Sequence, residues 1–536
     1  MFIKITVTVI YLAIVAWLGM LGYKQTKDSA DYLVAGRQIH PFIMALSYGA
    51  TFISTSAIVG FGGLAGVFGM GLVWLTFFNI FLGVFIAFIF FGKRTRKMGH
   101  NMNAHTFPEF LALRFESKFL QKFIGLVIFI FMPIYTAAVM IGASKFIENS
   151  LNFDYHIALF IFSAIVASYV FFGGLKGVMY SDAFQGSLMF VGMAVLLIAT
   201  YMNLGGVGAA NAKLTAMFSN PEVLSQIEGT MANGFAGWTS MPTFLSTYWY
   251  VLVTSIIMGV GIGVLAQPQL AVRYMSVKSD RELNRAIPIG GIFIAMMTGV
   301  AFTVGALSNV YFFEKTGKIA VAYAKGTDNI IPIFIQESMP EWFVTVFLII
   351  IIAAGMSTIS SQFHTIGSSV GRDLFKTKDH DPKREMFITK AGMLIGVLVT
   401  IFLAYTLPNV WEGAIAISTA IFFGLCAASF LPMYVGALYV KKMPKKAAIG
   451  GMMSGFVVYM FWICFVHAKE AVVIGLCQAL FGVPVLFNNS LAVLDPMIPG
   501  LLVSSIVTFI LIKTLPSDVS DENIAMVFEG VGLKEV

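Results

Sequence analysis

Long apolar runs separated by short polar segments dominate the chain. A helix rising about 1.5 Å per residue needs about 20 residues to cross a hydrocarbon layer of roughly 30 Å. Runs of that order fall near 3–23, 42–68, 72–92, 121–147, 156–173, 180–203, 247–268, 286–311, 342–368, 387–407, 412–439, 447–467 and 497–513. The pattern therefore predicts an all-α membrane protein of about thirteen transmembrane helices. The first run, Phe2 to Tyr23, carries Lys4 and no small-residue cleavage site, so it reads as a retained helix rather than a signal peptide. Ala471 to Leu480 is apolar but too short to cross, and reads as a re-entrant piece or a cap on the last long loop.

Composition supports a lipid surround: of 536 residues 58% are hydrophobic and 11% charged, against roughly 25% charged in a soluble domain. The net charge of +7 does not point to nucleic acid, because Lys and Arg sit in short loops where membrane orientation accounts for them. One loop parity holds Lys24 and Lys27, Lys93 to Lys97, Arg273 to Arg285, Arg372 to Arg384 and Lys441 to Lys446. Only Lys4, Lys145, Lys213, Lys315, Lys318, Lys325 and Lys469 fall on the other. Positive residues accumulate on the cytoplasmic side, which puts the N-terminus outside and the C-terminus in the cytoplasm of a plasma membrane, expected to be bacterial. Cys426, Cys464 and Cys477 lie in apolar segments without metal-ligand or disulfide spacing and read as packing residues.

Spans two to six and seven to eleven superimpose as two five-helix units of opposite orientation. The predicted organisation is an accessory helix (1–30), a first repeat (40–204), an outward loop (205–246), a second repeat (247–440), peripheral helices (441–513) and a cytoplasmic tail (514–536). A second long loop, 312–341, also faces outward. The tail is polar and acidic, with too little apolar surface to fold alone. Inverted repeats place substrate at mid-membrane between discontinuous helices. Gly60, Gly62, Gly63 and Gly66 in the first helix of one unit, and Gly259, Gly261, Gly263 and Pro268 in the other, mark matched weak points. Close helix packing is the competing explanation for each glycine.

Ala353 to Ser361 concentrates four hydroxyls, Ser357, Thr358, Ser360 and Ser361, in an otherwise apolar helix. One or two such residues satisfy themselves on the carbonyl a turn earlier. Four within five positions suit a small hard cation, for which neutral hydroxyls and carbonyls freed at a helix break are ligands that bury no permanent negative charge. Sodium fits that chemistry. Proton relays use carboxylates or histidine within the spans, and these are scarce: Asp182 near the start of the sixth span, Glu148 and Glu412 at span ends, and His364, which reads as a packing residue. Asp182 has two readings, a helix N-cap or a functional carboxylate, with Gly173-Gly174 upstream making a turn and Gln185 a turn further on.

Three separated motifs resemble the sodium:solute symporter family: Gly173 to Asp182 with Gln185; Gln267-Pro268 with Val272-Arg273-Tyr274; and Ala354 to Ser361 closing with Arg372-Asp373-Leu374. The similarity runs from about residue 30 to 440, and Phe423 to Tyr439 resembles the pantothenate and monocarboxylate branch. The resemblance implies an inverted five-plus-five helix repeat of the leucine-transporter type and alternating access driven by sodium. It implies a Na+ site of Ala50 and Ile53 through their backbones, Ala354 through its carbonyl, and Ser357 and Thr358 through side chains. A second Na+ would take Asp182, Ser357, Ser360 and Ser361, as in some members of the family.

Substrate is expected between the breaks, at Ser54, Thr55, Ser56 and Gln267. The apolar stretch Val251 to Ala266 argues against a sugar and for a small organic acid, with a proline-like amino acid or a sugar symporter of the same family as the alternatives. No basic residue is evident mid-membrane, so a carboxylate would be met by N–H groups at a helix break. The partners expected are thus a small solute, sodium and the lipid bilayer, with the chain working as a monomer. A channel would need a polar pore along its length, and a sensor a soluble signalling domain. An enzyme would need a His/Cys cluster, nucleophile elbow or phosphate loop, and the sequence carries none.

Overall fold

The computed structural model describes residues 2–25, 29–375 and 382–532. Among them the chain is helical with no strand, apart from an isolated bridge between Ile39 and Val277. In an apolar surround every backbone N–H and C=O must be met within the segment, which a helix achieves. Among the described residues eleven helices are long and apolar enough to cross a membrane, and two shorter apolar ones, Pro41–Phe52 and Tyr155–Val166, accompany them.

The difference from thirteen lies in how runs are joined and cut. Ser56–Asn101 is one helical stretch of 46 residues that holds the second half of the second expected span and all of the third. Its course changes at Gly69, where φ is 70° and ψ −155°. The Tyr48 hydroxyl donates to the Gly83 carbonyl at 2.7 Å, so residue 83 has returned to the level of residue 48. Tyr155–Asn203 is likewise helical throughout, where the apolar pattern predicts two spans. Phe162 packs on Gly355, and Ile350 packs on Gly192. Gly355 and Ile350 are about 7.5 Å apart along their helix, whereas the roughly 30 residues from Phe162 to Gly192 would span about 45 Å if straight. The element therefore folds back and supplies two antiparallel passes.

Glu341–Leu374 is 94% buried over its most apolar stretch and Ala414–Tyr439 is 89% buried, against 22% for Ile3–Gly22 and for Met497–Thr514. The first pair forms the centre, and the second pair lies at the rim with apolar side chains such as Trp17 and Phe509 exposed.

Two central helices are broken. Pro41–Phe52 ends at Ile53, whose φ of −92° and ψ of 95° are extended, and helix resumes from Ser56. Ser54 holds the restart: its carbonyl accepts from the Ala57 and Ile58 N–H groups at 3.0 and 3.3 Å, and its Oγ accepts from the Ser56 N–H at 3.2 Å. The second break is at Gln267, extended with ψ 118°, where Pro268 opens the helix Pro268–Met275. The first break thus lies before the glycines expected to make it. A Cβ on Gly63 would fall 2.0 Å from the Thr327 carbonyl oxygen, on Gly60 2.5 Å from Ile415, and on Gly263 2.6 Å from the Phe423 carbonyl oxygen. These glycines serve close packing; of the second set, only Pro268 marks the break itself.

Both long loops cover one end of the first broken helix. Trp238 Nε1 of the first donates to the Gly66 carbonyl at 2.8 Å, joined there by Asn309 Nδ2 from the helix Asp280–Thr316, and Thr327 of the second lies on Gly63. At the opposite end the tail is docked rather than loose. Ser520 caps the helix Asp521–Val527 and donates to Glu116 at 2.7 Å. Asn523 donates to the Leu113 carbonyl at 3.0 Å, Asn101 to the Val527 carbonyl at 3.1 Å, and Val527 is buried. The segment after Phe465 makes two short helices, Ala468–Ile474 and Leu476–Phe481, hinged at Gly475 with φ 69°, and neither is long enough to cross.

Candidate functional site

The last carbonyls of a helix have no N–H four residues on to receive. In Pro41–Phe52 the Gly49 carbonyl takes the Ile53 N–H at 2.7 Å, and the next two meet hydroxyls from Glu341–Ser368. Ser357 Oγ donates to the Ala50 carbonyl at 2.9 Å and lies 3.2 Å from the Ala354 carbonyl. Thr358 Oγ1 lies 3.2 Å from the Ala50 carbonyl and 3.1 Å from that of Thr51. Ala50, Ala354, Ser357 and Thr358 are fully buried, and Ile53 is 1% exposed at the break beside them. Four of the five residues expected to hold an ion therefore converge directly, and the fifth adjoins them. Every oxygen in this set is uncharged, which leaves room for one positive charge.

The other half of the expectation looks different. Arg273, grouped with loop charges by its sequence neighbours, is 1% exposed and lies inside the protein. Its Nη2 lies 3.1 Å from Asp182 Oδ2 and 2.5 Å from both Thr51 Oγ1 and Ser361 Oγ. Its Nε donates to Ser47 at 3.1 Å and its Nη1 to the Gln269 carbonyl at 2.8 Å. Asp182 Oδ2 also accepts from Ser47 at 2.7 Å, while Oδ1 has no hydrogen-bond partner. Asp182 is thus no N-cap: it stands mid-helix within Tyr155–Asn203, facing a guanidinium. The expectation of no basic residue among the spans is overturned by Arg273. Ser360 Oγ is turned to the Ser357 carbonyl at 3.1 Å.

Residues expected around substrate stand at the two breaks, Ser54, Thr55 and Ser56 at the first and Gln267 at the second. Ser54 and Ser56 hydroxyls pair at 2.6 Å, with the Tyr135 side chain beside them. Phe423 stacks on Phe52 and lies edge-on to Tyr135. Gln267 is fully buried, lies 3.4 Å from the Gly263 carbonyl and accepts from Gln269 at 3.0 Å. Thr55 points elsewhere: its hydroxyl donates to the Val139 carbonyl at 2.5 Å, pinning the break to the helix Lys118–Leu151. His364 contacts the Tyr32 carbonyl at 3.0 Å, in keeping with a packing residue.

Ser47, Thr51 and Tyr135 belong to this centre although the sequence reading passed over them, and so does Arg273, which that reading took as a loop charge and a motif residue. Ser47 and Thr51, four apart in an apolar helix, share a face. Arg273 follows Pro268 by five positions, so a helix restarted at that proline is still running inside the protein when it reaches the arginine.

At the end away from the long loops, Arg372 joins Glu109 at 2.8 Å and Glu385 at 3.0 Å. Burial works to raise the Glu109 carboxyl, but hydrogen bonds from His105 and Arg372 and the Arg372 charge hold it down at about 2. Asp373 accepts from Thr106 at 2.8 Å and Gln121 at 3.0 Å. These contacts tie the end of the hydroxyl-rich helix to the helices beginning at Phe107 and Lys118.

Broken helices in paired units around a buried oxygen cluster define a multi-pass membrane transporter with an inverted five-plus-five repeat of the leucine-transporter type. Its fold resembles a Na+-coupled sialic acid symporter in a substrate-bound outward-open state, with TM-score 0.72 at 18% identity over 97% of this chain and 99% of that one. It also resembles a nucleobase-cation-symport-1 family transporter in a closed conformation with bromovinylhydantoin bound, with TM-score 0.53 at 13% identity over 94% and 99%. The profile of the sodium:solute symporter family matches residues 32–455. A sodium/proline symporter of Staphylococcus aureus (strain bovine RF122 / ET3-1) is 30% identical over 526 residues, 94% of this chain and 91% of the relative, and one from strain JH9 aligns to the same extent. The chain belongs to the sodium:solute symporter family, and its coupling ion is Na+.

Proposed function

We propose that this symporter takes up a small carboxylate-bearing solute by alternating access, with proline the first solute to test and monocarboxylates the second. The convergence of Ser357 and Thr358 on the Ala50 carbonyl carries the coupling half of this reading. Ala50, Ile53 and Ala354 would supply carbonyl oxygens, and Ser357 and Thr358 would turn their hydroxyl oxygens to the ion. Sodium held there braces the first break against the hydroxyl-rich helix and completes the surface that substrate meets. Coupling is reciprocal, so solute and ion tighten one another, typically by about 1–3 kcal/mol.

Ser54, Ser56 and Gln267, flanked by Tyr135 and Phe423, form the solute contacts in this reading, and Thr55 sets the break in place. The Arg273 guanidinium is already engaged, so a solute carboxylate would be met by the N-terminal ends of the helices restarting at Ser56 and Pro268. The names of the Staphylococcus relatives favour proline over other acids. The charge pattern supports an N-terminus outside and a C-terminus in the cytoplasm. Uptake of labelled proline, monocarboxylates and sugars into proteoliposomes, with sodium replaced by potassium or choline, tests the proposal. Sodium-dependent, saturable proline or monocarboxylate uptake is expected. Sugar uptake alone, or acid uptake indifferent to sodium, would overturn it.

A further inference from the structure

Where the helix Lys445–Phe465 ends, three ionisable side chains come together away from water. His467 caps the short helix Ala468–Ile474, and its Nδ1 is hydrogen-bonded to Oε2 of Glu470 in the first turn, with the two side chains 6% and 7% exposed. Asp495, itself buried, opens the helix Met497–Thr514 close enough to the imidazole to feel its charge. Its Oδ1 accepts from the Met497 N–H at 2.8 Å, and its own N–H donates to Thr254 Oγ1 at 3.3 Å. A Cβ on Gly259 would lie 3.7 Å from Asp495 Oδ2. Thr254 and Gly259 belong to Thr247–Ala266, the half of the second broken helix that precedes the break at Gln267. We propose that His467, Glu470 and Asp495 form a proton-binding clasp on that half-helix, shut while the imidazole carries a proton and loosened when the proton leaves.

Charge balance gives the clasp its direction. Two carboxylates share the buried space with one imidazole, so a protonated ring leaves one net negative charge and a neutral ring leaves two. Like charges held away from water repel strongly, and an unpaired one is costly to bury. The surroundings answer them poorly. Tyr459, from the helix Lys445–Phe465, lies near both carboxylates and near Cys426, but its hydroxyl donates to the Ile421 carbonyl at 2.7 Å. Ser255 stands alongside Asp495 on the half-helix, and the neighbouring ammonium, Lys469, is at an exposed position. Burial works to lower the His467 imidazole, but the charge and hydrogen bond of Glu470 and the charge of Asp495 hold it above its ordinary value. Burial pushes the Asp495 carboxyl up to about 6, against the His467 charge and the Met497 N–H. Asp495 has therefore lost its proton by neutral pH, and the proton still to leave above that is the one on His467. A raised imidazole contributes stability that is whole below its unfolded value of about 6.5 and is lost as pH climbs through the folded one. In alternating access the helices flanking the breaks must move, so a clasp on this one makes pH a control on the gate separate from Ser357 and Thr358 and from the identity of the solute.

The test is hydrogen exchange of the purified full chain in lipid nanodiscs, without solute and at fixed sodium, from about pH 6.5 to about 9, with rates corrected for base catalysis. Amides of the stretch Tyr250–Val260 should lose protection along a single titration curve as pH rises. Glu470→Gln, and Asp495→Asn, which keeps a helix cap, should each move the midpoint down by about one pH unit or more, the usual effect of removing an opposite charge. His467→Gln should abolish the curve and leave the stretch equally open throughout. Protection that does not change with pH in the unaltered protein, or a curve that survives His467→Gln, would overturn the clasp. So would carboxylate variants that lower protection equally at every pH and leave the midpoint in place, which is how residues that only pack would behave. Should His467→Gln not fold, the two midpoint shifts decide the matter.

Discussion

At Ser357 and Thr358 the central helix meets the first broken helix through uncharged oxygens alone, while one turn on, at Ser361, it meets a guanidinium that is paired in turn with the Asp182 carboxylate. Both clusters are buried, and both draw on the same two helices. The first offers only dipoles to an ion, and the second pairs a full negative charge with a full positive one. Two like unit charges about 4 Å apart repel by about 4 kcal/mol even at an effective dielectric near 20. A carboxylate does not by itself mark an ion site, then; what counts is whether its charge is already answered.

The sharpest way to break this contrast is Asp182→Ala, which strands Arg273 without its partner. Breaking one side of a buried pair costs about 3–5 kcal/mol, so a large fall in melting temperature is expected in detergent, whereas Ser357→Ala should cost far less. Equal losses would erase the distinction. Next is Glu109→Gln, which removes an ion pair at the end of the same helix. Glu109 sits near 2 instead of 4.5, a difference on the order of 3 kcal/mol at 1.36 per pH unit. The folded value is depressed, so this stability is present above the ordinary carboxylate value and is lost as pH falls from about 4.5 towards 2. An acid melting series in which the Gln variant loses less than the unaltered chain over that window checks the sign.

Ser357→Ala and Thr358→Ala should each raise the sodium concentration needed for half-maximal uptake about tenfold, equivalent to roughly 1.4 kcal/mol, with surface expression little changed. Normal uptake at low sodium in both variants would exclude the neutral cluster as the ion site. The smallest effect belongs to Thr55→Val, which removes the hydroxyl bonded to the Val139 carbonyl at 2.5 Å. A stability loss of about 1 kcal/mol, with the sodium requirement unchanged, would separate a residue that positions the break from those that bind.

Much of the centre was legible from local pattern. Four hydroxyls in five positions exceed what back-bonding to their own helix ordinarily accounts for, and that surplus pointed to a hard cation held together with carbonyls freed at a helix break. Pro268, which has no N–H, located the second break. The first break was misplaced at the glycines because an absent side chain permits either a bend or a close approach, and Thr327, Ile415 and Phe423 show that close approach prevailed. Arg273 was misread for a related reason: position along the chain measures distance from a loop, not depth in the protein.

The sequence by itself determined a helical membrane protein, its apolar runs, its hydroxyl-rich segment and the chemistry of an uncharged cation site, because lipid compels helices and hard cations require oxygens. Tertiary structure alone decided which oxygens are left facing one another, that an arginine is folded in against Asp182, and that the acidic tail is docked. Those outcomes depend on contacts between residues far apart in the chain, such as Asp182 with Arg273 and Glu116 with Ser520, and no local pattern encodes such a distance.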